Sequence, residues 1–196
     1  MFLTTNDAFS VSPYTDPGKR RQLDAPRGDR YHGHTSKQEV AMKQEEQLEG
    51  RYARLYSQLR ELIEQTESRT SRMATIAALL HHKIPHFFWT GFYLLKRGEL
   101  CVGPYQGPLA CQILKQHQGV CWTGILERKT VIVPDVEKFP GHWACDSRSK
   151  SEIVVPFTNR AHRIAGVLDV DSRQLDAFSS VDREWLEKIV RLIPGR

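Results

Sequence analysis

The sequence predicts an α+β domain with a central antiparallel sheet flanked by N- and C-terminal helices. Three observations carry this: helical periodicity toward both ends of the chain, a block of short β-branched and aromatic segments between them, and no alternation of strand and helix units. The 196 residues are 40% hydrophobic and 26% charged, which suits one hydrophobic core. No apolar run approaches the roughly 20 residues of a membrane-spanning helix, so no membrane association is expected.

Residues 1–38 are rich in Ser, Thr, Pro, Asp, Gly and Arg, include Pro13, Pro17 and Pro26, and lack periodicity. They read as a disordered tail, and residues 39–196 as one domain. From about residue 39, Leu48, Tyr52, Leu55, Tyr56, Leu59, Leu62 and Ile63 recur at three- and four-residue steps along one face of a long amphipathic helix. A second helix is expected from about Arg69, with Met73, Ile76, Ala77, Leu79 and Leu80 in register until Pro85 prevents its continuation.

Strand-like text follows in residues 87–95, 100–105, 130–133, 152–157 and 164–170, each short, β-branched or aromatic, and bounded by turns. The chain then offers Ser179 as a helix cap with Asp182 three residues on, ahead of Val181, Trp185, Ile189, Val190 and Ile193 on one face.

The formal charge of +5 raises the question of nucleic acid, but the one basic run, Lys19-Arg20-Arg21, is flanked by Asp16 and Asp24. A solvated tail explains it better than a phosphate-binding footprint, and no nucleic-acid partner is expected. The N-terminus lacks the apolar stretch of a secretory signal, so a cytoplasmic location is expected. There is no glycine-rich phosphate loop. The four cysteines, Cys101, Cys111, Cys121 and Cys145, include no CxxC pair, so neither a zinc knuckle nor any other metal is expected.

A thiol becomes a strong nucleophile only when ionised, which requires partial exposure and nearby positive charge. Cys145 fits best, in a polar loop between two predicted strands with His142, Arg148 and Lys150 close by. The competing reading is a surface cysteine without a role. Cys111 also lies in a turn-like segment of small residues, where a mobile thiol could resolve a sulfenic acid. Cys121 and Cys101 are flanked by apolar side chains and read as small buried hydrophobes. Glu152 opens one strand, and Asp169 and Asp171, two apart near the end of another, share a face. They suit either a polar pocket binding an ammonium group or, more commonly, an exposed strand end. Trp89, Phe92 and Tyr93 fit a pocket wall or simply a core strand. His81, His82 and His86 read as a solvated helix end.

Taken together and in order, Trp89-Thr-Gly-Phe-Tyr93, Gly103-Pro-Tyr-Gln-Gly107, Gly119-Val-Cys121, Val133-Pro-Asp-Val136, Gly141-His-Trp-Ala-Cys145-Asp, Ser151-Glu-Ile-Val-Val-Pro156 and Gly166-Val-Leu-Asp-Val-Asp171 resemble the free methionine-(R)-sulfoxide reductases, a GAF-domain enzyme family. The resemblance spans about residues 45–193. It implies a GAF-like sheet of about six antiparallel strands, one more than the periodicity yields, with helices packed on one side.

The resemblance further implies that Cys145 is the nucleophile, Cys111 the main resolving cysteine and Cys121 a third thiol of variable contribution. Trp89 and Tyr93 would hold the methyl-sulfur end of free methionine sulfoxide, and Glu152, Asp169 and Asp171 its ammonium group or sulfoxide. The reaction would need no cofactor and a thioredoxin-type reductant. A homodimer through the first helix is compatible with this reading, and a non-enzymatic GAF module that binds a small ligand or senses redox state is the alternative. Three departures from the family pattern stand out: Trp122 follows Gly-Val-Cys where Gly is usual, Phe88 precedes Trp89 where Asn is common, and one extra residue separates Glu152 from Asp171. Trp122 is expected to narrow the pocket or stiffen the Cys121 loop.

Overall fold

The computed structural model describes residues 36–142 and 145–194. The tail expected over residues 1–38 therefore falls, up to residue 35, outside the described residues. Helix α1 (Lys37–Ile63) starts at a capping box: the Ser36 hydroxyl accepts from the Glu39 N–H at 3.2 Å, and the Glu39 carboxylate accepts from the Ser36 N–H at 2.7 Å. Its first turns are exposed, and its inward stripe begins with Tyr52, Leu55, Leu59 and Ile63. Helix α2 (Arg69–Lys83) buries Met73, Ile76, Ala77 and Leu80 and ends before Pro85, as the spacing predicts.

One six-stranded sheet has the order β3-β2-β1-β6-β5-β4, with every neighbouring pair antiparallel. The strands are β1 (Trp89–Lys96), β2 (Glu99–Gln106), β3 (Ile113–Leu114), β4 (Val131–Val133), β5 (Ser151–Thr158) and β6 (Ile164–Ser172). The sixth strand is β3, whose two residues are too few for any periodicity to register. Alternation along β1, β5 and β6 gives the sheet two apolar faces. Phe92, Ile153, Val155, Phe157, Leu168 and Val170 pack beneath α1, α2 and the last helix, α4 (Ser180–Val190).

Asp182 ties that layer together. One carboxylate oxygen accepts from the Ser179 N–H at 2.8 Å, capping α4, and the other accepts from the buried Tyr52 hydroxyl of α1 at 2.8 Å. His86 reaches the same carboxylate at 3.8 Å and packs edge-on against Phe87 and Phe178. The reading of the histidines as a solvated helix end thus holds for exposed His82 and fails for His86, which the Phe87–Phe178 cluster encloses. Burial accordingly lowers the pKa of His86.

Helices on one side of the sheet would leave the other face open, and the chain departs from that expectation. Helix α3 (Gly119–Glu127) covers the opposite face, packing Val120, Cys121, Trp122 and Ile125 with Val154 and Val167. A Cβ at Gly124 would lie 2.9 Å from Val154 Cγ1, so glycine there sets how closely α3 approaches β5. Cys101, read as a core residue, is only half-buried because β2 lies next to the two-residue edge strand. Among the described residues, no helix is long and apolar enough to cross a membrane.

Candidate active site

The site forms on the α3 face because of strand register. Trp89 pairs with Asp171 and Gly91 with Asp169 across β1 and β6, while Glu152 of β5 lies opposite Asp171 on its other side. Directly opposed residues share a face, so Trp89, Tyr93, Asp169, Asp171 and Glu152 converge without any loop contributing. From above, α3 lowers Cys121 until its thiol donates to Glu152 Oε1 at 3.9 Å. These residues, with Cys145, His142 and Ser149, line one cavity.

The acids are not the exposed strand ends that commonly explain such residues. Glu152 and Asp169 are each only 6% exposed, and Asp171 is half-buried. Burial disfavours their charged forms. It raises Asp169 to about 7, although hydrogen bonds from Cys121 and Glu152 pull the other way. Burial also raises Glu152 and Asp171 well above the usual carboxylate range, and the charge on Asp169 adds to the rise in both. Cys121 is pushed up by the same burial and the same acids, so at neutral pH it is a thiol donor rather than a nucleophile. Oxygen and sulfur atoms of Cys121, Glu152 and Asp169 lie within 4.8 Å of one another, a donor set able to hold a cation.

The wall is aromatic. Trp89 stacks on Tyr93 at 5.7 Å and on Tyr105 at 5.4 Å between ring centroids. Its indole lies against the backbone of Gly91, where a Cβ would sit 2.5 Å from the ring and 2.3 Å from Tyr105 Cβ. Gly91→Ala is therefore expected to displace the indole at a cost of about 1–3 kcal/mol. Urea denaturation and a red shift of tryptophan emission check this; unchanged stability and spectrum would contradict the packing. Trp122, expected to narrow the pocket, instead packs beneath α3 with its ring 4.9 Å from His117 and does not line the cavity.

At the rim, Cys145 is exposed and forms a disulfide with half-buried Cys111, with 5.6 Å between Cα atoms. The Tyr93 hydroxyl donates to the Cys111 carbonyl at 3.3 Å, tying that segment to the pocket wall. Beside Cys145, Arg148 donates twice to the Asp146 side chain, at 2.9 and 2.6 Å, and this pairing holds the Asp146 carboxyl down at about 2. The Arg148 guanidinium also lies 5.0 Å from the Phe88 ring, and Arg173 lies 4.1 Å from it. Phe88, one of the departures from the family pattern, thus fastens the Cys145 loop to the start of the sheet.

Sequence reasoning missed Ser149, whose side chain hydrogen-bonds Asp171, and the backing roles of Gly91 and Tyr105. Only the strand register reveals the last two. Among the described residues, three buried polar atoms on side chains that line the cavity have no hydrogen-bond partner: Trp89 Nε1, His142 Nε2 and Asp169 Oδ1. Buried polar atoms are nearly always satisfied, so three such atoms on side chains lining one cavity make it the candidate binding site.

A GAF domain model matches residues 59–193. GAF domain-containing protein A of Dictyostelium discoideum is 44% identical over 146 residues, covering 74% of this chain and 91% of that protein. The free methionine-R-sulfoxide reductase of Saccharomyces cerevisiae is 46% identical over 108 residues, 54% of this chain and 60% of that one. The crystal structure of free methionine-R-sulfoxide reductase from Neisseria meningitidis in complex with its substrate superposes with a TM-score of 0.70 at 36% identity, covering 73% of this chain and 86% of that one. A matching domain model over most of the chain, the six-stranded sheet and these relatives agree, and the chain belongs to the GAF-domain family.

Proposed function

We propose that the protein reduces free methionine-(R)-sulfoxide to methionine. The observation that carries this reading is the Cys111–Cys145 disulfide at the rim of a cavity with a wall of Trp89 and Tyr93 and a floor of Glu152, Asp169 and Asp171. The names of the yeast and Neisseria relatives support it.

In the reduced enzyme, the Cys145 thiolate attacks the sulfoxide sulfur. A protonated carboxylic acid of the floor gives its proton to the oxygen, and burial favours that protonated form in Glu152 and Asp171. Trp89 Nε1, which has no hydrogen-bond partner among the described residues, is a further donor from the cavity wall. Methionine leaves and Cys145 retains the oxygen as a sulfenic acid. The Cys111 thiol then displaces that oxygen as water and forms the disulfide, which protects Cys145 from further oxidation. Overall, one sulfoxide and two thiols give one thioether, one disulfide and one water. A thioredoxin-type dithiol restores the thiols in a reducing compartment such as the cytoplasm.

Asp169, which titrates at about 7, suits in its ionised form the ammonium group of a free amino acid, while the aromatic wall suits the methyl-sulfur end. Blocking the ammonium leaves buried acids without a partner. In a dithiothreitol-coupled assay, N-acetyl-methionine-(R)-sulfoxide should show kcat/KM lower by roughly a hundredfold than the free amino acid. Comparable turnover would refute the pocket assignment, and no turnover of either would favour a GAF module that binds a ligand without chemistry.

A further inference from the structure

The two bonded sulfurs open onto different cavities. Cys145, but not Cys111, lines the acid-floored pocket. Cys111, but not Cys145, lines a surface groove formed with Glu99, Ile113, Leu114, Lys115 and Gln116, which adjoins the pocket at Leu114 and Lys115. That groove runs along β3, the edge of the sheet, whose outer side has no neighbouring strand among the described residues. Within the groove an apolar side chain stands open to solvent beside Cys111: Ile113 is 54% exposed.

We propose that the β3 groove is the docking surface of a dithiol protein reductant, which attacks Cys111 rather than Cys145. This rests on the reductase reading and specifies how its disulfide is recycled. Cys145 is the more exposed of the two sulfur-bearing residues, but it borders the pocket that the small sulfoxide must enter, whereas the groove gives half-buried Cys111 an approach along the sheet edge. The open edge of β3 offers main-chain groups to an extended segment of the partner, and Ile113 gives that segment an apolar seat. Exposed apolar side chains clustered beside a reactive group mark an interaction site.

The chemistry also favours this order. The reductant's thiolate attacks Cys111 Sγ, the Cys111–Cys145 bond breaks, and its electron pair leaves on Cys145 as the thiolate that the next sulfoxide requires. The reductant's second thiolate then attacks the mixed disulfide, closes its own disulfide and releases Cys111, which takes up a proton. Two electrons pass from the dithiol to the protein disulfide. Attack at Cys145 would instead attach the reductant at the mouth of the substrate pocket.

Oxidised full-length protein mixed with a thioredoxin-type protein lacking its resolving cysteine should yield a mixed disulfide that peptide mapping assigns to Cys111. Assignment to Cys145 would overturn the proposal. Independently, Ile113→Glu should raise the KM for intact thioredoxin about tenfold while leaving dithiothreitol-supported turnover and single-turnover methionine release unchanged. A milder Ile113→Ser should move the thioredoxin KM in the same direction. An unchanged thioredoxin KM, or an equal loss with both reductants, would refute the docking surface. The trapping experiment contains no sulfoxide, so its failure is distinct from a failure of the reductase reading, which single-turnover methionine release tests.

Discussion

Cys145→Ser is expected to abolish methionine formation, by at least about a thousandfold, because a hydroxyl cannot replace the thiolate that accepts oxygen. Cys111→Ser should behave differently. Its first turnover proceeds at the normal rate and releases one methionine per chain, leaving Cys145 as a trappable sulfenic acid. Thiol counting gives the complementary result. Of four cysteines, the reduced wild type should lose two free thiols after one turnover without reductant, leaving half-buried Cys101 and buried Cys121 unmodified. Full steady-state activity in Cys145→Ser, or loss of the Cys121 thiol in the first turnover, would remove the basis for the assignment.

The second large effect concerns Asp169, where binding and stability oppose each other. In the folded protein its pKa is near 7, against 3.8 for an exposed aspartate. Between those values the folded state holds a proton that the unfolded chain has lost, so stability falls as pH rises from about 4 to 7 and stays reduced above that. Asp169→Asn removes this cost and relieves the repulsion that raises Glu152 and Asp171. The variant should be more stable than wild type at pH 8, by on the order of 2–4 kcal/mol, and nearly equal to it at pH 4. Its kcat/KM for free methionine-(R)-sulfoxide should fall by about a hundredfold or more, since the ammonium loses its buried counter-charge. Urea denaturation at both pH values, with the disulfide state held fixed, checks the first claim. A stability difference independent of pH would show that Asp169 does not carry the strain assigned to it.

Much of the architecture was legible because it obeys simple periodicities. Tyr52, Leu55, Leu59 and Ile63 announce α1, Met73 to Leu80 announce α2, and Ser179 with Asp182 announces the start of α4. Helix α3 gave no such signal. Gln118 caps it without a side-chain hydrogen bond, left-handed Arg128 rather than glycine ends it, and its text is too uniformly apolar to show a stripe. The site divides in the same way. Alternation put Asp169 and Asp171 on one face, but their burial depends on Glu152 arriving opposite Asp171 and on α3 descending over both. Those are tertiary facts, and a single strand read alone makes exposure the simpler expectation. The Cys111–Cys145 pairing came from family resemblance, since four cysteines without CxxC spacing leave every pairing open.

The cross-link spans 34 residues, a segment that includes α3 and β4. In the chain-entropy account, closing a loop of that length lowers the freedom of the denatured ensemble and favours the folded state by about 4 kcal/mol. In the proposed cycle the protein would thus be most robust when it has just spent its reducing equivalents and most pliable when charged to act. Heat or proteases would selectively remove the working form and spare the exhausted one, leaving a reserve of dormant molecules that a fresh supply of electrons can return to service.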